Sequence, residues 1–184
     1  MAQLDKAADI TVIGIDPGSR HTGWGVVREV SGVLKLVDCG VCSPSQKLTF
    51  AERLAAIYHN LSEVLERLRP TEAAIEQVFT ALNAATALKL GQARGVAVAA
   101  CAAKHIPILD YEPALIKKTL VGTGRAEKEQ VAFMAGRLLG IKPDWPVDTG
   151  DAIGIAICHL TMRRFAELER QSKHHQGQRT SRRI

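Results

Sequence analysis

Nothing in this chain of 184 residues approaches the ~20 consecutive apolar residues of a membrane-spanning helix. A helical membrane anchor is therefore excluded, and the start of the chain has no basic region followed by an apolar stretch and a cleavage site. A cytoplasmic location is the expectation. Cysteine is sparse at four residues, and a single core of this size buries roughly 70% of its unfolded surface without covalent staples. Cys39 and Cys42 are spaced as one Cys-x-x-Cys in a strand-like run, whereas Cys101 and Cys158 stand singly in Ala- and Ile-rich segments. Zinc would require two further converging ligands, so reduced, structural thiols are expected. No internal repeat is present. The body of the chain also lacks a charge excess: residues 163–184 carry seven Lys or Arg and two acids, leaving 17 of each sign elsewhere. The net charge of +5 therefore lies in a polar tail, which is not expected to order itself and suits either solubility or phosphate contact.

The pattern of apolar residues divides the chain into a polar leader (1–9), one domain (10–162) that takes in the start of the last helix, and the rest of that helix with the basic, disordered tail (163–184). Residues 10–16, 22–29 and 33–42 are rich in Val and Ile and are separated by Pro17-Gly18 and Ser31-Gly32, which predicts three meandering strands. Residues 48–68 place Leu54, Ile57, Leu61, Val64, Leu65 and Leu68 at helical spacing before Pro70. A fourth strand runs through Glu76. Residues 83–104 form an Ala-rich helix, apolar around much of its circumference and containing Gly91 and Gly95, which points to burial or a subunit contact. Residues 106–111 read as a fifth strand, and 113–120, 126–139 and 146 to about 169 as helices. The expected fold is α/β, with a mixed five-stranded sheet covered by helices on both faces.

Three apolar segments each hold a carboxylate that ought to be buried. Asp16 ends Ile10-Thr11-Val12-Ile13-Gly14-Ile15, Glu76 lies within Ala74-Ile75-Glu76-Gln77-Val78, and Asp148 and Asp151 open Ala152-Ile153-Gly154-Ile155. An ionised acid removed from water costs several kcal/mol unless it is paired, hydrogen-bonded or metal-bound. No evenly spaced basic partners accompany these acids, so convergence on a hard divalent cation is the economical explanation. Each site has a plainer alternative. Asp16 before Pro17-Gly18 also suits a turn, and Asp148-Thr149-Gly150-Asp151 also suits a helix cap with an acid in the first turn. Only Glu76, in a strand covered on both faces, resists such a reading.

The motifs Gly14-Ile15-Asp16-Pro17-Gly18-Ser19-Arg20, Ala74-Ile75-Glu76-Gln77-Val78-Phe79, Ala87-Leu88-Lys89-Leu90-Gly91-Gln92-Ala93-Arg94-Gly95 and Asp148-Thr149-Gly150-Asp151-Ala152-Ile153 closely resemble the bacterial Holliday-junction resolvases of the RuvC type, in the same order from about Ile10 to His159. The resemblance implies a ribonuclease-H-like fold, a homodimer and a magnesium-dependent endonuclease that nicks two like-polarity strands of a four-way DNA junction in recombination and repair. It implies Asp16, Glu76, Asp148 and Asp151 as catalytic, metal-holding acids, with two Mg²⁺ per site and Mn²⁺ as a substitute. It further implies DNA contacts at Lys117 and Lys128, a stacking role for Phe79 near the crossover, and a branch-migration helicase as a possible partner.

Residues 117–128 combine Gly122 and Gly124 with Lys117, Lys118, Arg125 and Lys128 before a helix, a composition suited to phosphate. Gly122 also suits the end of the preceding helix. Arg20 and Arg94 either approach the scissile phosphate or balance the acids, and His21 and His159 are either proton carriers or structural. Three rivals share parts of this pattern: an actin-like phosphotransferase, a non-catalytic junction-binding module, and a nuclease for RNA in RNA–DNA hybrids. The phosphotransferase needs a second lobe for which this length leaves little room. The middle motif and the basic loop favour junctions over hybrids.

Overall fold

The computed structural model describes residues 9–77 and 83–181, with the side chains of Val147 and of residues 173–181 left aside. Strands β1 (Ile10–Asp16), β2 (Thr22–Val30) and β3 (Val33–Cys42) are followed by helix α1 (Phe50–Leu68) and strand β4 (Glu72–Glu76). Then come α2 (Ala84–Ala103), β5 (Ile108–Tyr111), α3 (Pro113–Val121), α4 (Lys128–Leu139) and α5 (Val147–Ser181). The sheet order is β3-β2-β1-β4-β5. Its first three strands pair antiparallel, while β1, β4 and β5 run parallel. This is the mixed five-stranded sheet expected.

Local chemistry explains the ends of the elements. Thr49 caps α1 by accepting from the Glu52 amide while the Glu52 carboxylate accepts from the Thr49 amide, a reciprocal capping box. Arg69 ends α1 in the left-handed conformation just before Pro70. Gly122, at φ 87°, ends α3 in the same way, so stopping this helix is one of its roles.

Side chains on β1 alternate between two cores. Ile13 and Ile15 pack with Ile57, Leu61, Val64 and Leu65 of α1 and Ala97, Ala100 and Cys101 of α2. Val12 faces the opposite way, towards Ile153, Ile155, Ala156 and Ile157 of α5 and the buried faces of α3 and α4. Strand β4 follows the same parity, with Ala73 and Ile75 in the first core and Ala74 in the second. Cys42 belongs to the first core and Cys39 packs against the second, so the Cys-x-x-Cys straddles the sheet. Two thiols on opposite faces of one strand cannot share a metal, and all four cysteines are free.

Helix α5 touches the sheet backbone itself. A Cβ on Gly14 would stand 2.0 Å from the Ala152 carbonyl oxygen, one on Gly23 2.1 Å from that of Asp148, and one on Gly25 2.6 Å from the Ile153 side chain. Glycine at these three positions lets the start of α5 lie flat on β1 and β2. Replacing Gly14 with Ala should force the helix off the strand and cost several kcal/mol. The check is a thermal melt beside Ala74→Gly on β4, and an unchanged Tm for the Gly14 variant would reject the close approach.

The last helix is longer than its spacing predicts. Helix α5 continues past the expected end near residue 169 to Ser181. Arg163 and Glu167 pair one turn apart at 3.2 Å, and the Ser172 hydroxyl donates to the Leu168 carbonyl oxygen. Local pairs of this kind support a helix that has little apolar surface to bury. Among the described residues no helix is long and apolar enough to cross a membrane.

Candidate active site

Strand parity brings the acids together. Val12 pairs with Glu72 and Gly14 with Ala74 across the parallel β1 and β4, so Asp16 and Glu76, two residues further along each strand, project from the same face. That face is the one covered by α5. Asp16, Glu76 and Asp151 line one cavity of about 360 Å³ together with Lys117, Lys128 and Ile155. Its floor is formed where the first strand ends and α5 begins.

The electrostatics of this cavity follow from crowding like charges at a half-buried place. Burial, then the charge of Asp151, raise the Asp16 carboxyl to about 6. Burial, then the Asp16 charge, raise Glu76 further, to about 8. The two carboxyls share a hydrogen bond, which favours the ionised form of Asp16 and the protonated form of Glu76. One proton is thus held between like groups that cannot both ionise at low cost. Lys128 reaches in to place its ammonium 2.5 Å from Asp151 Oδ2, and that contact raises the lysine's own pKa.

Asp148 departs from the expected arrangement. It lies near enough to Asp16 to raise its pKa, yet its side chain lines an adjoining cleft with Arg20, Arg53 and Lys89. It is also the acid of the first turn of α5. Among the described residues no three His, Cys, Asp or Glu side chains are gathered into a ready metal cage. Lys128 pairs with Asp151, and Asp148 lines the second cleft. The donor set nevertheless fits a hard divalent ion, because it consists of carboxylate oxygens, holds excess negative charge, and already recruits an ammonium as a local counter-charge.

Other predicted residues separate clearly. Lys117 and Lys128 line the acid cavity, whereas the exposed Lys118 and Arg125 do not. Phe79 lies outside the described residues. Arg94 is engaged with Asp110 at 2.5 Å, which removes it from the acids. His21 bonds Ser43 at the surface.

His159 belongs to the core and not to the acid cavity. Its Nε2 lies 2.6 Å from Glu72 and its Nδ1 3.0 Å from the Tyr111 hydroxyl, while Arg163 closes on the other Glu72 oxygen at 2.7 Å. Burial lowers its pKa. This buried network was missed in the sequence because Glu72, Tyr111 and His159 share no spacing signal. The basic cleft around Lys89 was missed for the same reason.

The Crossover junction endodeoxyribonuclease RuvC family profile matches residues 12–159. A crossover junction endodeoxyribonuclease RuvC from Oleidesulfovibrio alaskensis is 67% identical over 159 residues, covering 86% of this chain and 95% of the relative. One from Lawsonia intracellularis is 66% identical, covering 85% and 93%. The structure of Thermus thermophilus RuvC in complex with Holliday junction substrate superposes with a TM-score of 0.80 at 36% identity, covering 85% of this chain and 96% of that one. The fold is therefore ribonuclease-H-like. With its acids gathered where the first strand, the fourth strand and the last helix meet, this chain belongs to the RuvC family of crossover junction endodeoxyribonucleases.

Proposed function

We propose that the protein resolves four-way DNA junctions by paired, symmetric nicks, using divalent magnesium held by Asp16, Glu76, Asp151 and Asp148. The observation that carries the reading is the convergence of Asp16, Glu76 and Asp151 in a cavity walled by Lys117 and Lys128. Asp16 sits centrally, in hydrogen-bond contact with Glu76 and in the field of both α5 acids, and would be the ligand shared by the set. Asp148 completes the set from the adjoining cleft. When bound, two magnesium ions supply charge stabilisation to the attacking and leaving oxygens of the phosphodiester.

The chain's own residues position the reaction. Asp16 and Glu76 are half-buried, which strengthens the charge interactions among them relative to open water. Lys128, now paired with Asp151, and Lys117 both line the cavity and would face the scissile strand. To hold a cation Glu76 would have to give up its proton, so binding would tighten as pH rises towards 8. Lys118 and Arg125 stand outside the cavity as peripheral phosphate contacts, and Phe79 follows the Glu76 strand as the base-stacking residue.

Symmetric cuts require two sites related by a twofold axis, and α2 offers the surface for a homodimer. Gly91 and Gly95 have nothing within 4 Å of an added Cβ, and Leu88 on the same face is 70% exposed. Light scattering should give twice the chain mass; a monomer with full activity would reject the dimer. The enzyme acts in the cytoplasm, with a branch-migration helicase as a further partner. The reading is tested by gel comparison of labelled four-way junction, duplex and RNA–DNA hybrid with and without Mg²⁺. Paired nicks confined to the junction and to Mg²⁺ are expected, and hybrid cutting without junction nicking would overturn the assignment.

A further inference from the structure

Apart from Asp148, the cleft beside the acid cavity takes no part in the chemistry above. It has a volume of about 500 Å³, and its lining includes Ser19, Arg20, Arg53, Thr86, Lys89 and Asp148. Three cations therefore face one carboxylate. Arg53 is fixed: its guanidinium donates to the Ser19 carbonyl oxygen at 3.5 Å and to Gln46 Oε1 at 3.2 Å, and lies 5.4 Å over the Phe50 ring. Arg20 and Lys89 are exposed, and among the described residues neither is engaged in an ion pair. Lys89 shares a helix face with Thr86, Leu90 and the buried Ala93 and Ala97, whereas Leu88, Gly91 and Gly95 lie on the opposite face. The cleft is thus separate from the surface offered for dimer contact.

A DNA strand carries a phosphate about every 3.4 Å of helix axis. A strand whose scissile phosphate rests on the acids must therefore lay neighbouring phosphates on both sides of them, against the acids' repulsion. Lys117 and Lys128 line the acid cavity itself. The second cleft begins at Asp148, one turn before Asp151 on α5 and near enough to Asp16 to act on its charge.

We infer that the cleft holds backbone phosphates of the cleaved strand next to the scissile bond, with Arg20 and Lys89 as direct contacts and Arg53 as a fixed background charge. The inference rests on the nuclease reading above. Ser19 and Thr86 add hydroxyl donors to the same path. Contacts of this kind set register and orientation and carry no sequence information.

The test is a salt titration of four-way-junction binding by the full chain without divalent metal, comparing wild type with R20A, K89A, the double variant and K89R. Lys35→Ala, on the outer edge strand, controls for loss of one charge. Each phosphate contact removed should flatten the log–log salt slope by about 0.7–0.9, so the double variant should lose about 1.4–1.8. Nicking should show KM raised about tenfold with kcat within about threefold of wild type, since positioning phosphates contribute to ground and transition states alike. K89R should restore the slope, and equal melting curves should show all variants folded. A double variant with the slope of wild type or of Lys35→Ala would overturn the inference. Failure of the nuclease reading looks different: wild type would leave the junction uncut, whatever the salt slopes.

Discussion

Asp16→Asn should lower junction nicking by about a thousandfold or more while junction binding stays at or above the wild-type level. The substitution keeps the shape of the side chain and removes one negative charge from the centre of the acid group. Asp16 is the acid in contact with Glu76 and in the field of both Asp151 and Asp148, so its loss weakens every shared cation position at once. Preorganised charge stabilisation of this kind is worth hundreds- to thousandfold even for a single donor, and the proposed role of Asp16 is shared among the whole acid set. Binding responds in the opposite sense. Affinity for DNA comes from Lys and Arg against phosphates, and a carboxylate lost beside the scissile phosphate removes repulsion. The measurement pairs a single-turnover nicking assay in Mg²⁺ with a gel-shift titration in its absence. A variant that cuts within tenfold of wild type would remove Asp16 from the chemistry.

Glu76→Gln should raise the Tm of the metal-free protein near pH 8 and abolish the extra stabilisation that Mg²⁺ gives the wild type there. Glu76 binds its proton more tightly in the folded state, with a pKa raised to about 8, than in the unfolded chain. The stability linked to this proton is complete below the ordinary glutamate range and is lost as pH rises through about 8. Metal-free wild type should therefore melt progressively earlier between about pH 4.5 and 8, and Mg²⁺ should recover the loss at the alkaline end. Glutamine carries no charge to expel, and its amide can still donate to Asp16. Partial exposure screens the repulsion, so the gain is on the order of 2 kcal/mol, or about 4–8 °C for a domain of this size. Differential scanning calorimetry from pH 5 to 9, with EDTA and with Mg²⁺, checks both halves. A Gln variant no more stable than wild type in EDTA at pH 8 would show that Glu76 is not held against its charge.

The acids proposed for the site stood out along the chain because carboxylates in apolar segments break local rules. Glu76 inside Ala74-Ile75-Glu76-Gln77-Val78 conflicts with burial, and that conflict is visible without coordinates. Asp16 and Asp151 were less distinctive, since turns and helix caps use the same residues, and only their common placement at the ends of elements marked them. Arg94 and Asp148 show the limit. Nothing along the chain says that Arg94 meets Asp110, or that Asp148 opens onto Arg20 and Lys89 while Asp151, one turn later, opens onto Glu76.

Periods of two and 3.6 in apolar residues, together with Thr49, Pro70 and Gly122 at the ends of elements, determined which segments became strands and helices, because those signals act over a few neighbouring residues. What tertiary structure decided was the meeting of distant faces. The parallel register of β1 and β4 set Asp16 beside Glu76, and Gly14, Gly23 and Gly25 let α5 descend onto the sheet until Asp151 joined them. Both depend on contacts between residues more than fifty positions apart, and the charge balance of the pocket exists only once those contacts exclude water.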